Sequence, residues 1–169
     1  MPTEDWDAIT ESVRTVREVS GDFDMIVTLS WDEAADVDRY DGEWNAGLYA
    51  QNRATCVTNV LRGYSKNPAK AVRLVSGSNW STRGREVGFT NFDIRPTADR
   101  VLLRLRRARE VLYTGTSADG KEWREWKVGT DEELLMPDET VNVGVFIHPN
   151  SQRKTVATFS EFKLTTGQK

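Results

Sequence analysis

One cysteine, Cys56, leaves this chain no partner for an intramolecular disulfide and excludes any cysteine-based zinc cluster. Cys56 sits within an apolar strand-like run and reads as core rather than as a nucleophile. One histidine, His148, followed at once by Pro149, is all a nucleophilic triad would have to draw on. It reads as a loop histidine at the end of a strand, with no catalytic role. No apolar run approaches the roughly 20 residues that a helical membrane span requires. The opening residues, MPTEDWDAITESVR, are acidic and lack an apolar core, so no secretory signal is expected and the expected compartment is the cytoplasm. Asn79-Trp80-Ser81 has the form of a glycosylation sequon, which carries little weight without a secretory route.

What is present is enough for a folded core. A length of 169 residues, with 38% hydrophobic and 9% aromatic residues, suits one globular domain and not a disordered chain. The net charge of −3 conceals an asymmetry. Residues 1–50 carry 13 acidic and 3 basic side chains, whereas residues 51–110 carry 4 acidic and 13 basic ones. On neighbouring strands such segments neutralise each other. No nucleic-acid motif accompanies the basic stretch, so nucleic acid is not an expected partner.

The residues from Asp99 to Trp126 organise the rest. Val101, Leu103 and Leu105 alternate with Leu102, Arg104 and Arg106, the period of two of a half-buried strand. A break at Ala108–Arg109 leads to a second run, Glu110 to Thr116. Ser117-Ala118-Asp119-Gly120-Lys121 is a turn, and Glu122 to Val128 a third strand with Trp123 and Trp126 on opposite faces. This is a β-meander. Before it, Phe23, Met25, Val27, Leu29 and Trp31 alternate with polar residues and predict a core strand. Ser12 to Val19 reads either as an edge strand or, from valines three apart, as a short helix. Asp32 to Glu43 is an acidic loop. Strands are expected at Trp44–Gln51, Ala54–Leu61, Ala69–Val75 and Arg85–Ile94, with a turn at Gly77-Ser78-Asn79. Asp131–Pro137 is a loop or helical turn, and strands at Thr140–Ile147 and Thr155–Thr165 close the chain. Short strands with turns every ~8–12 residues make an all-β sandwich. One such domain over 12–165 is expected, with a lead-in at 1–11 and a tail at 166–169.

In this order the segments resemble a known family. The pieces are Gly21-Asp22-Phe23, Tyr40-Asp41 ahead of Ala46-Gly47-Leu48-Tyr49, Ser78-Asn79-Trp80-Ser81, Leu103-Arg104-Leu105, Ser117 to Trp123, Val141-Asn142-Val143-Gly144 and Phe159-Ser160-Glu161-Phe162. Together they are similar to the concanavalin A-like domain of unknown function related to the "regulation of enolase" proteins. The resemblance implies a two-sheet antiparallel jelly roll of the concanavalin A-like lectin and glucanase superfamily. Its members occur alone in bacteria or fused to carbohydrate-active enzymes, without an established general activity. Two departures stand out. The additional N-terminal strand and Trp-rich start of the family are reduced to Trp6, and Gly42-Glu43-Trp44-Asn45 is inserted before Ala46.

Three kinds of chemistry remain for these residues. Asp36-x-Asp38-x-x-Asp41-Gly42 offers three carboxylates and a turn, a candidate calcium loop, although Tyr40 and the late glycine depart from an EF-hand and the ordinary reading is a solvated loop. Paired carboxylates for glycoside hydrolysis would lie roughly 5–9 Å apart. The Glu-x-Asp-x-x-Glu signature of jelly-roll glucanases is absent, Asp22-x-Asp24 opens an edge-like strand, and Glu122-x-x-Glu125 splits across two faces. A sugar-binding face remains. Tyr49, Gln51, Asn59, Arg73, Arg104 and Arg106 lie on polar strand faces, and Trp44, Tyr64 and Trp80 in or beside loops. Trp31, Trp123 and Trp126 read as packing residues. The expectation is a non-catalytic module that binds a small ligand, carbohydrate first, through Tyr49, Gln51, Asn59, Trp80, Arg104 and Arg106. The arginines point to an acidic or phosphorylated ligand. The alternatives are a glycosidase- or lyase-like enzyme with carboxylates on the concave sheet, and a protein-interaction module. Self-association is left open.

Overall fold

The computed structural model describes residues 13–31, 43–51, 55–64, 72–75, 78–82, 85–88, 93–94, 100–109, 111–128, 140–149 and 157–167. Its strands in chain order are β1 (Val13–Val19), β2 (Phe23–Trp31), β3 (Glu43–Gln51), β4 (Thr55–Tyr64), β5 (Val72–Val75), β6 (Ser78–Thr82), β7 (Arg85–Gly88), β8 (Asp93–Ile94), β9 (Arg100–Ala108), β10 (Val111–Ser117), β11 (Arg124–Lys127), β12 (Val141–Pro149) and β13 (Ala157–Thr166). They form two antiparallel sheets. One has the order β1-β12-β3-β4-β5-β8, with β6 pairing β4 and β7; the other has the order β11-β10-β9-β2-β13.

The alternation that predicts β2 is the alternation that buries it. Phe23, Met25, Val27 and Leu29 enter the core, joined from the neighbouring strand by Val101, Leu103 and Leu105 and from β10 by Leu112. The opposing sheet contributes Ala46, Leu48 and Ala50 from β3 and Val141 and Val143 from β12. Period-two side chains on two facing sheets leave one apolar layer between them.

The sequence expectations at the meander hold, with one adjustment. Arg109 takes a positive φ of 48° at the predicted break, and Gly120 one of 78° at the predicted turn. The third strand begins two residues late. Asp119 Oδ1 accepts from the backbone N–H groups of Lys121 (2.8 Å) and Glu122 (3.2 Å), and Ser117 Oγ accepts from Gly120 N–H (2.8 Å). These side chain–backbone bonds prolong the turn to Trp123. They also hold the Asp119 carboxyl below its ordinary range, the bond from Lys121 first.

Other boundaries shift. Val13–Val19 is an edge strand paired with β12, not a helix. Of the strand expected at Arg85–Ile94, the described residues are β7 and β8, and Ser78 and Asn79 belong to β6 rather than to a turn. Asp22-x-Asp24 does not open an edge strand, because β2 is interior, between β9 and β13. In β13, Ser160 faces Thr28 and Lys163 faces Ile26, so Glu161 and Phe162 together oppose Val27. That is a β-bulge, two residues against one, and it reverses the inside–outside parity. Phe159 and Leu164 both pack on the core, whereas Phe162 is 46% exposed. Glu161, at φ 52°, is pinned there by a 2.8 Å bond that Thr28 Oγ1 donates to its carboxylate.

Candidate functional site

The six ligand-binding candidates divide between the two sheets. Tyr49 and Gln51 stand on β3, Asn59 on β4 and Trp80 on β6, whereas Arg104 and Arg106 stand on β9 in the other sheet. Tyr49 is only 1% exposed, its ring edge-on to Phe146 at 6.4 Å and 71°. It is a packing residue rather than an open stacking platform. Cα pairing sets Asn59 opposite Leu48 and Trp80 opposite Val57, which itself faces Ala50. Tyr49 faces Thr58 and Gln51 faces Cys56, so the register puts Asn59 and Trp80 on one side of the sheet and Tyr49 and Gln51 on the other. Of the six, Arg104 and Arg106 are the two that line one cleft among the described residues. Asp36, Asp38 and Asp41 lie outside the described residues, and among the described residues no group of three His, Cys, Asp or Glu side chains could hold a metal ion.

Around the two arginines is a cleft of about 410 Å³ at one end of the five-stranded sheet. Phe23 opens β2 there and Ala108 closes β9, with Thr165 and Gly167 at the end of β13. The outward positions of β9 carry Arg104 and Arg106, because Leu103 and Leu105 take the inward ones. Arg104 reaches diagonally to Asp24 on β2, since its direct cross-strand partner is Ile26. The bond is bidentate: Nε donates to Oδ1 at 2.8 Å and Nη2 to Oδ2. On its other side Arg104 Nη1 lies 3.2 Å from Glu125 Oε1. Glu125 in turn accepts a second bidentate pair from Arg106, Nε to Oε1 at 2.9 Å and Nη2 to Oε2 at 3.0 Å. The result is a chain of alternating charge, Asp24–Arg104–Glu125–Arg106.

Each guanidinium also has an aromatic neighbour. Arg106 lies 4.1 Å from the centroid of Tyr113, its direct partner on β10, and Arg104 lies 5.3 Å from that of Trp123. Trp123 is itself tethered, its indole N–H donating to the Gly120 carbonyl at 3.1 Å. Carboxylate bonds and cation–π contacts fix both side chains. The same carboxylates push both guanidinium pKa values up, for Arg104 chiefly through its bond to Asp24 and for Arg106 through its bond to Glu125.

A glycine makes the chain of charges geometrically feasible. Glu125 is on β11 and Arg104 on β9, two strand spacings or about 10 Å apart, with β10 between them. Both face Gly115, which has no side chain to separate them. A Cβ at residue 115 would lie 3.0 Å from Glu125 Cγ, 3.2 Å from the Arg124 carbonyl oxygen and 3.6 Å from Arg104 Cβ. Gly115→Ala is therefore expected to push Glu125 off Arg104 and to cost about 1–3 kcal/mol through overpacking. Thermal unfolding of the variant measures that cost. A melting temperature equal to that of the wild type would contradict the close approach.

Arg107 borders the same cleft from the inward side. It is 2% exposed, donates from Nε to the Gly21 carbonyl at 2.7 Å, and has its guanidinium 5.3 Å from the Phe23 ring centroid. The Asp22 carboxylate caps the adjacent break, accepting from Arg109 N–H at 3.0 Å. Sequence reading placed neither Trp123 nor Glu125 in a site with the arginines. The available signal was the Arg-x-Arg alternation facing Asp24 one strand away; the cross-strand register that joins them is not encoded in any local motif.

No family model and no curated protein matches the chain. Solved structures do. A GH43 glycoside hydrolase engineered to display endo-xylanase and exo-arabinofuranosidase activity is similar at a TM-score of 0.59 and 17% identity, over 90% of this chain and 31% of that one. The CBM2 module of the evolved Dit of Lactobacillus casei BL23 phage J-1 is similar at 0.58 and 9% identity, over 89% and 67%. The calcium-bound exoplasmic/lumenal domain of VIP36 is similar at 0.52 and 15% identity, over 93% and 75%. The fold is a concanavalin A-like jelly roll. At these identities the likeness is one of fold. VIP36 has also been solved metal-free. No helix among the described residues is long and apolar enough to cross a membrane.

Proposed function

We propose that this chain is a non-catalytic carbohydrate-binding module, that the cleft of Asp24, Arg104, Glu125 and Arg106 is its site, and that it belongs to the domain family related to the "regulation of enolase" proteins. The observation that carries the reading is the alternating carboxylate–guanidinium chain, fixed before any ligand arrives. A sugar hydroxyl both donates and accepts a hydrogen bond, and this array sets acceptors and donors side by side. A carboxylate has about four acceptor sites and a guanidinium five donors, and the pairing of Arg106 with Glu125 engages two of those five. Trp123, half-buried at the margin, supplies an apolar surface. Structural neighbours that include a carbohydrate-binding module and a glycoside hydrolase support the general class.

One observation favours a second reading. Asp24 and Glu125 converge from two strands on one guanidinium in one cleft, the disposition a glycosidase- or lyase-like enzyme would need. Binding is favoured over hydrolysis because both carboxylates engage guanidiniums with both oxygens, whereas hydrolysis needs a proton-donating carboxyl and a second acid flanking the glycosidic bond.

A glycan-array screen with calcium and with excess EDTA tests the proposal. Binding retained in EDTA is expected, because Asp24 and Glu125 are engaged by guanidiniums and no group of three His, Cys, Asp or Glu side chains among the described residues could hold a metal ion. Binding lost in EDTA would move the site to a calcium loop such as Asp36, Asp38 and Asp41. Silence in both conditions would remove carbohydrate, and release of reducing ends from a bound glycan would establish the enzyme.

A further inference from the structure

We propose that the cleft selects neutral saccharides and rejects acidic ones, an inference that rests on the cleft being a carbohydrate site. Arginines in a sequence suggest an anionic ligand; their surroundings here argue otherwise. Among the described residues lining the cleft, three carboxylates (Asp22, Asp24 and Glu125) balance three guanidiniums (Arg104, Arg106 and Arg107). Arg104 is held between Asp24 and Glu125, and Arg106 is bound through two nitrogens by Glu125. Arg107, at 2% exposure, is turned to the Gly21 carbonyl and the Phe23 ring.

An incoming uronate, sulfate or phosphate would have to compete with Asp24 or Glu125 for a guanidinium already bound in the fork geometry that such anions require. The displaced carboxylate would then face the ligand's own negative charge in a partly desolvated cleft. A neutral sugar carries no charge to set against Asp24 or Glu125 and need displace neither partner. Specificity here is a matter of which ligand leaves the chain of charges intact. Its aromatic supports, Tyr113 and Trp123, oppose rearrangement of the arginines.

Calorimetric titration distinguishes the outcomes. Cellohexaose, laminarihexaose and xylohexaose serve as neutral probes, with hexagalacturonate and sulfated laminarihexaose as acidic ones. The wild type is expected to bind at least one neutral hexaose about tenfold more tightly than either acidic probe. Glu125→Gln, near-isosteric but one negative charge poorer, is expected to improve hexagalacturonate binding about tenfold relative to the neutral hexaose. Asp24→Asn provides the same test from the other strand if Glu125→Gln does not fold, as judged by circular dichroism. A wild type that prefers an acidic probe overturns the selectivity while leaving the carbohydrate reading standing. Unchanged preference in a folded variant also overturns it, since charge balance would then not be the cause. No binding to any hexaose overturns the carbohydrate reading and this inference together.

Discussion

Arg104→Met is expected to weaken glycan binding by at least tenfold, and toward a hundredfold, while leaving the protein folded. Methionine keeps much of the aliphatic stem but removes the group that joins β2, β9 and β11 across the cleft. Asp24 loses its bidentate partner and Glu125 loses one of its two cations, so two carboxylates are left converging on an apolar side chain. The stability cost is modest, about 1–2 kcal/mol, because these side chains retain 23–32% of their exposure and water screens what remains. Arg104→Lys separates charge from geometry. A lysine keeps the charge but has no planar fork, so it cannot pair with Asp24 through two nitrogens and still reach Glu125. Calorimetry should find it intermediate. If Arg104→Met binds as well as the wild type, the cleft is a structural ion cluster and not a ligand site.

Leu105→Ala produces the opposite pattern. Leu105 is fully buried, between Met25 on β2 and Thr114 on β10 in the register of the five-stranded sheet. Truncation loses the transfer free energy of its branched end and leaves a cavity that rigid neighbouring strands cannot close, about 3–4 kcal/mol in all. For a chain of this size that corresponds to a fall of roughly 10 °C in melting temperature. Glycan affinity below the new melting point should be unchanged, because residue 105 faces away from the cleft. Leu105 and Arg104 are adjacent in sequence and one residue apart in β9, yet one substitution should move stability and the other binding. That separation follows from the period of two alone. A Leu105→Ala variant that melts within a degree or two of the wild type would contradict the core described above.

Neighbouring residues of opposite fate recur along the strands of this sheet. Period-two patterning made β2 and β9 legible, since Phe23, Met25, Val27 and Leu29, and then Val101, Leu103 and Leu105, could hide their bulk only on one side. Asp119-Gly120 was legible for the same local reason, a side chain that accepts backbone N–H bonds beside a residue that tolerates positive φ. Phe162 was not. The extra residue at the Glu161 bulge turns this apolar side chain out, and the spacing from Phe159 to Leu164 becomes intelligible only once β2 is laid beside it. Arg107 continues the apolar row of β9 inward, and nothing local shows that the Gly21 carbonyl is there to receive it.

The site was harder because it depends on three strands at once. Alternation identified Arg104 and Arg106 as outward-facing, but it cannot say which sheet a strand joins, so Tyr49 and Gln51 fell in with them although they belong to the other sheet. As isolated pairs, Asp22-x-Asp24 and Glu122-x-x-Glu125 match a hydrolase poorly. Their meaning comes from partners 80 and 19–21 residues away in the sequence, through Arg104 to Asp24 and through Glu125 to both arginines. Gly115 contributes by having no side chain, a role visible only between Glu125 and Arg104.

A titration of isotopically labelled protein with the neutral hexaoses, followed by ¹H–¹⁵N correlation spectra, tests the central assignment most directly. It reads every strand of both sheets at once. The account predicts shifts concentrated at Asp24, Arg104, Arg106 and Glu125 and at the Trp123 indole N–H, with β3 unmoved at Tyr49 and Gln51. Shifts centred on β3 instead, or spectra unchanged by every saccharide, would contradict it.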